Sequence, residues 1–347
     1  MDSKISAVKN RIPFWDNNKC LMICLVVFGH FAEFQAGSSD ICKSIFLFIY
    51  TFHMPMLLFV SGVFFKPEKI VRKVLFYICC GYLLKILLWF VYLITTKKVP
   101  VFEMFSDITI PWFMFVLAIY QVISYLLRKV NLYFILAAGI ILACFAGYDK
   151  SIGDFLYISR ALVFFPFFTL GRIFKEKKTE IVNWSNKYRI VLTIAAVVII
   201  LIWGYTCFGH TAFVDSLRHL FTGRNPYKDY ILKYGILARL FCYTVSFLMC
   251  ASTLILTPRK NIPAFTRIGT KTLDIYFWHW AILILLHRLC NLGRLFDYGI
   301  AGKIGYFAIA IALIYALTYI KIFEFPLKQV KKLCFSISDK YELKRSK

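Results

Sequence analysis

The chain has 347 residues, of which 60% are hydrophobic and only 17% charged, and its mean hydropathy is +0.69. Soluble domains sit nearer half apolar and a quarter charged, so composition excludes a soluble globular enzyme and indicates a polytopic membrane protein. The formal charge of +24, from 42 Lys and Arg against 18 Asp and Glu, would suggest nucleic acid in a soluble chain; here the basic residues fall in short loops between apolar runs, the positive-inside pattern, and no nucleic-acid partner is expected.

In chain order, a cationic lead-in with Arg11, Asp16 and Lys19 opens onto the apolar run Cys20 to Phe28, which ends in Gly29-His30 with Glu33 three residues later. Residues 1–32 resemble a secretory signal, but the length of the core and the many later spans favour an uncleaved first crossing. Ten spans are predicted, at about 18–36, 44–65, 72–95, 110–127, 131–147, 156–174, 189–207, 229–256, 269–290 and 301–323. The expected fold is therefore an all-α polytopic helix bundle. Loops on one side collect about 26 Lys and Arg against about 10 on the other, which predicts that both termini are cytoplasmic, as an even number of spans requires. The organisation expected is a lead-in over 1–17, a transmembrane domain over 18–325 and a basic tail over 326–347, the tail lying on anionic lipid headgroups. The loop from Phe208 to Lys228 carries His210, Asp215, Arg218, His219 and Arg224, and reads equally as a cap over a site or as a plain connector.

Ionisable groups inside apolar runs are costly and are functional candidates by default. Here they are His30, Glu33, His53, Lys85, Arg160, Lys233, Arg239, Asp274 and His279, of which Lys85 reads as a residue that snorkels or pairs locally. His30 lies about 16 Å along a helix from Lys19, near the middle of a bilayer, and shares a helix face with Glu33. A carboxylate on one imidazole nitrogen fixes the tautomer and makes the other nitrogen a better base. His53, in Phe52-His53-Met54-Pro55, falls at comparable depth beside a proline that frees a backbone carbonyl, and His279 also falls toward the midplane. Lys19, Arg72 and Lys73 stand on the basic side, where cations suit the phosphates of a soluble donor. Most of the eleven cysteines lie within apolar runs without CxxC or Cys/His spacing, so no metal is expected. Serine-elbow, Walker and dinucleotide motifs are absent from the sequence.

Lys19-x10-His30 resembles the Arg/Lys-x10-His signature in the first span of the acyltransferase-3 family of integral membrane acyltransferases. Asp16-x2-Lys19 leading to Leu25-Val26-Val27-Phe28-Gly29-His30 is most similar to the fucose 4-O-acetylase-like branch, as is Phe52-His53-Met54-Pro55 followed by Phe59-Val60-Ser61-Gly62. Arg72-Lys73, Trp112-Phe113, Arg160 with Phe164 to Gly171, and Ile268-Gly269 to His279 follow in the family's order, so the resemblance covers roughly residues 10 to 325. It implies about ten spans and transfer of an acyl group, usually acetyl, from cytoplasmic acyl-CoA to a hydroxyl of a cell-surface glycan or its lipid-linked precursor. No esterase-like domain follows in this sequence, so transfer is expected to finish within the bundle or to pass to a polysaccharide-assembly partner. On this reading His30, Glu33 and His53 are catalytic, Lys19, Arg72 and Lys73 hold acetyl-CoA, and Trp112, Arg160, Arg239 and His279 contact the acceptor. The signature's frequent Arg is Lys19 here, a point cation without a bidentate fork. A transporter or flippase for a glycan, or a scaffold for polysaccharide assembly, stands as the alternative, since intramembrane His and Arg serve translocation as well.

Overall fold

A computed structural model describes residues 12–107 and 109–345, with side chains as far as Ser338. Arg11 and the rest of the lead-in before Ile12, Ile108, the last two residues and the Lys340 and Lys344 side chains lie outside the described residues. Among the described residues there are helices and turns and no strand.

Helix α1 (Pro13–Gln35) starts where a proline at its first position needs no N–H partner, with Asp16 in the first turn to meet the positive helix end. The second crossing is broken into α2 (Asp40–Tyr50) and α3 (His53–Val63), where a single proline-kinked helix was expected. Pro55 has no N–H to offer the carbonyl four residues back, that of Thr51. Ser246 Oγ donates to that carbonyl at 2.5 Å, Cys250 Sγ donates to the Phe52 carbonyl at 3.6 Å, and Trp203 Nε1 donates to Thr51 Oγ1 at 3.2 Å. Neighbouring helices thus satisfy the break that the proline creates, as irregular backbone in a membrane requires.

The chain continues through α4 (Ile70–Thr96), α5 (Trp112–Leu126), α6 (Leu132–Phe145), α7 (Ile158–Glu176), α8 (Lys178–Lys187), α9 (Arg189–Gly209) and α10 (Thr211–Phe221). It ends with α11 (Asp229–Leu232), α12 (Gly235–Leu256), α13 (Pro263–Thr270), α14 (Thr272–Leu289), α15 (Gly299–Tyr319) and α16 (Leu327–Arg345). Each of the ten expected crossings coincides with a helix or a broken pair. By length and apolar composition alone six segments qualify as spans: Asp40–Val63, Ile70–Thr96, Phe155–Glu176, Arg189–Gly209, Gly235–Leu256 and Leu292–Tyr319. Helices α1 and α14 carry too many polar groups for that criterion, and α5 and α6 have only 15 and 14 residues. The eighth crossing starts at Gly235, which leaves Lys233 exposed in the preceding turn.

Close helix contacts run through glycines. A Cβ on Gly62 would strike the Phe168 carbonyl, and one on Gly171 would strike that of Phe59, so α3 and α7 touch backbone to backbone. Gly269 of α13 meets the Asp16 carbonyl of α1 in the same way. Around that contact Asn17 Nδ2 donates to the carbonyls of Pro258 (2.9 Å) and Lys260 (2.8 Å), and Asn18 Nδ2 donates to Thr257 Oγ1 (3.1 Å). Arg72, at the start of α4, lies over the Phe335 ring of α16. Lys19 of α1 lies over the Phe64 ring and Lys73 of α4 over the neighbouring Phe65 ring, so the starts of α1 and α4 and helix α16 sit at the same, basic end of the bundle.

Candidate functional site

The last turns of α1 and α2 bring three side chains together. His30 Nδ1 lies 3.0 Å from Glu33 Oε2, Tyr50 Oη donates to that same oxygen at 2.6 Å, and Tyr50 Oη lies 2.7 Å from His30 Nδ1. A carboxylate only accepts, so the proton on the ring sits on Nδ1 and Nε2 carries the lone pair. The i, i+3 spacing on α1 explains the first contact; the second needs α2 packed alongside, which puts Tyr50 edge-on to His30 with ring centroids 5.8 Å apart. Tyr50 escaped the sequence reading because a tyrosine in an apolar run reads first as packing or interface belt. Its one signal was its place three residues before His53.

His53, 3% exposed, opens α3 and lies with its ring centroid 4.8 Å from that of Tyr50. Its Nδ1 donates to the Ile49 carbonyl at 2.8 Å, so it too presents an unprotonated Nε2. His279 of α14 packs behind His30 at 5.3 Å between centroids, and its Nδ1 is shared by the carbonyls of Tyr276 (2.8 Å) and Ile275 (3.0 Å). Three histidines from three crossings thus converge, each with one ring nitrogen fixed as a donor. Trp280 closes over His30 with a centroid separation of 4.4 Å.

These residues border a cavity of about 360 Å³. His30, Glu33, Tyr50 and His53 form part of its wall; Trp112, Tyr276 and Arg160 form another part, and Arg218, His219 and Arg224 line it from α10 and the turn after it. The 208–228 loop is therefore a cap. Trp112 stacks on Phe164 at 5.6 Å, and the buried Arg160 guanidinium lies over the Trp112 ring at 4.9 Å, with Asp154 at 3.9 Å from Nη2. His219 is kept neutral at ordinary pH, since burial and then the charges of Lys228, Arg224 and Arg218 hold its pKa down at about 4.

Other predicted site residues stand elsewhere. Arg239 is fully buried outside the cavity, donating to the Leu220 carbonyl and to Asn225 Oδ1, each at 2.8 Å, and so braces the cap from behind. Lys19 pairs with Asp16 at 2.6 Å, and Lys73 donates to the Lys66 carbonyl at 2.6 Å. With Arg72 they lie at the basic end, separated from His30 along α1 by Met22, Ile23 and Val27, all fully buried. Lys85 pairs locally: its ammonium donates to the carbonyls of Glu103, Met104 and Ser106 in the loop before α5. Tyr276 Oη donates to the carbonyl of Ile110 in the same loop, fixing the cavity wall.

The chain is 25% identical over 312 residues to the nodulation protein NolL of Mesorhizobium japonicum, a match covering 81% of this chain and 79% of that protein. No solved structure matches. The acyltransferase domain family known as acyltransferase-3 matches residues 12–323, so the alignment takes in every helix from α1 to α15. The chain belongs to the acyltransferase-3 family and is a multi-pass membrane acyltransferase.

Proposed function

We propose that this acyltransferase moves an acyl group, acetyl in the simplest case, from acyl-CoA to a hydroxyl of a cell-surface polysaccharide or its lipid-linked precursor in the cell membrane. The observation that supports it is the His30–Glu33–Tyr50 cluster on the wall of a cavity large enough for a sugar residue. Glu33 orients the ring and stabilises the imidazolium that forms when Nε2 takes the acceptor's proton; the freed alkoxide attacks the thioester carbonyl, and the thiolate leaves. In a relayed version Nε2 itself attacks the thioester, and the acceptor hydroxyl then takes the acyl group from the ring. The relay suits the geometry better, because Lys19, Arg72 and Lys73, assigned to the phosphates of CoA, lie at the opposite end from the cap. His53 and His279 position the reacting groups, and Trp112 with Arg160 offers a stacking and charged surface to the acceptor.

The test is transfer of labelled acetyl from acetyl-CoA to surface glycan by the purified protein in liposomes. His30→Ala should lose two to four decades in rate, the usual worth of a general base, while still inserting normally; near-wild-type labelling would refute the assignment. The rival reading, translocation of a glycan or lipid-linked sugar, draws on the same broken helix. It predicts acceptor movement without consumption of CoA.

A further inference from the structure

The cap adds positive charge over the cavity to the Arg160 surface that the proposed reaction offers the acceptor. Arg160, Arg218 and Arg224 border the cavity, and Glu33, the carboxylate bordering it with them, is engaged by His30 and Tyr50. A second hollow of about 320 Å³ shares Arg218 and His219 with the first and adds Lys43 and Lys228. Among the described residues the acidic groups nearby are few: Asp215 lies 3.0 Å from Lys43 and 3.7 Å from Arg218, Asp154 lies 3.9 Å from Arg160, and Asp107 accepts from the backbone and hydroxyl of Thr109. The two hollows thus share a cationic wall at Arg218 and His219, with Arg218 partly exposed at the junction. A neutral glycan has no use for guanidiniums in a low-dielectric recess, whereas an oxyanion gains paired, charge-assisted bonds there.

We infer that the cap, through Arg218 and Arg224 with Arg160 beneath them, binds an anionic group of the acceptor, a phosphate or a sugar carboxylate next to the hydroxyl that is modified. The inference rests on the acyl-transfer reading for the word acceptor, but the anion site is testable without it.

The experiment is equilibrium binding to the full chain in zwitterionic nanodiscs, using inorganic pyrophosphate, a glucuronate-containing disaccharide, its uncharged glucose counterpart and CoA. The wild type should bind one of the first two at least tenfold more tightly than the neutral disaccharide, and which of them it prefers separates phosphate-linked from acidic-sugar acceptors. The double variant Arg218→Gln with Arg224→Gln should lose that preference, each lost charged bond being worth about tenfold or more; the Lys pair should keep most of it. Asp215→Asn, which removes the carboxylate beside Lys43 and Arg218, should tighten the anionic probe several-fold. Equal binding of charged and neutral probes, or an undiminished preference in the Gln pair, would overturn the site. Displacement of the anionic probe by CoA from these arginines would also overturn it, by giving the site to the donor. Anion binding retained in a His30→Ala protein that still transfers acyl groups would sink the catalytic assignment and leave the anion site standing.

Discussion

Asn17 and Asn18 stand near the start of α1 and His30 and Glu33 near its end, yet the two ends of this one helix are built on opposite terms. At the basic end uncharged amides spend their donors on the Pro258, Lys260 and Thr257 oxygens, and Gly269 lets α13 press against the α1 backbone. The amide donors there are spent on other parts of the protein, so the contact is a clasp. At the far end histidines keep one nitrogen fixed and one in reserve, and the cap adds arginines around an open volume. The difference teaches where to look for chemistry in such a bundle: polar residues whose donors are spent on protein oxygens hold helices together, and those held on one side only face a substrate.

That contrast can be broken or sharpened by substitution at either end. The largest effect expected is on His30→Ala, a loss of two to four decades in transfer with the melting temperature in detergent unchanged; a large fall in melting temperature would mean that His30 too is part of a clasp. Gly269→Val should do the reverse, since its side chain meets backbone rather than a movable side chain, and overpacking of this kind costs about 3 kcal/mol. The readout is the fraction of protein recovered as a monodisperse species, with normal activity per folded molecule. Asn17→Ala leaves the Pro258 and Lys260 carbonyls without their donor and should cost about 1–3 kcal/mol of stability, measured as a lower melting temperature without change in the KM for either substrate. Smallest is Tyr50→Phe, which keeps the ring and deletes one hydrogen bond to Glu33: a rate about tenfold lower with stability nearly unaltered. A Tyr50→Phe protein as slow as His30→Ala would make the phenol a proton carrier in its own right.

Much of this organisation is legible in the sequence, because charge is rare in apolar runs and therefore conspicuous. His30, Glu33, His53, His279 and Arg160 are singled out that way and Trp112 by the family resemblance, and the structure brings them around one cavity or directly behind it. Arg239 is conspicuous for the same reason but serves the cap from behind, since its partners, Leu220 and Asn225, lie in a loop whose fold the sequence does not disclose. Tyr50 was hidden for the converse reason, since aromatic residues are common and only the packing of α2 on α1 gives it a role; Arg218 and Arg224 were visible in a loop that read equally as cap or connector, and α10 packed on α2 decides for the cap. The amide clasp was hidden as well, because Asn17 and Asn18 read as the polar rim of a first span. The break between α2 and α3 was half visible, as Pro55 announces a freed carbonyl but not that Ser246 meets it.

Lys85 carries a consequence of its own. An ammonium has three hydrogens to give, and here they go to three main-chain oxygens of the segment before α5. A connector gripped by its main chain is indifferent to its side groups, so the identities of Glu103, Met104 and Ser106 are free to drift across evolution while the wall they support stays in place. Substitutions at those three positions should be silent, and a position that cannot drift is the lysine 18 or more residues away on α4.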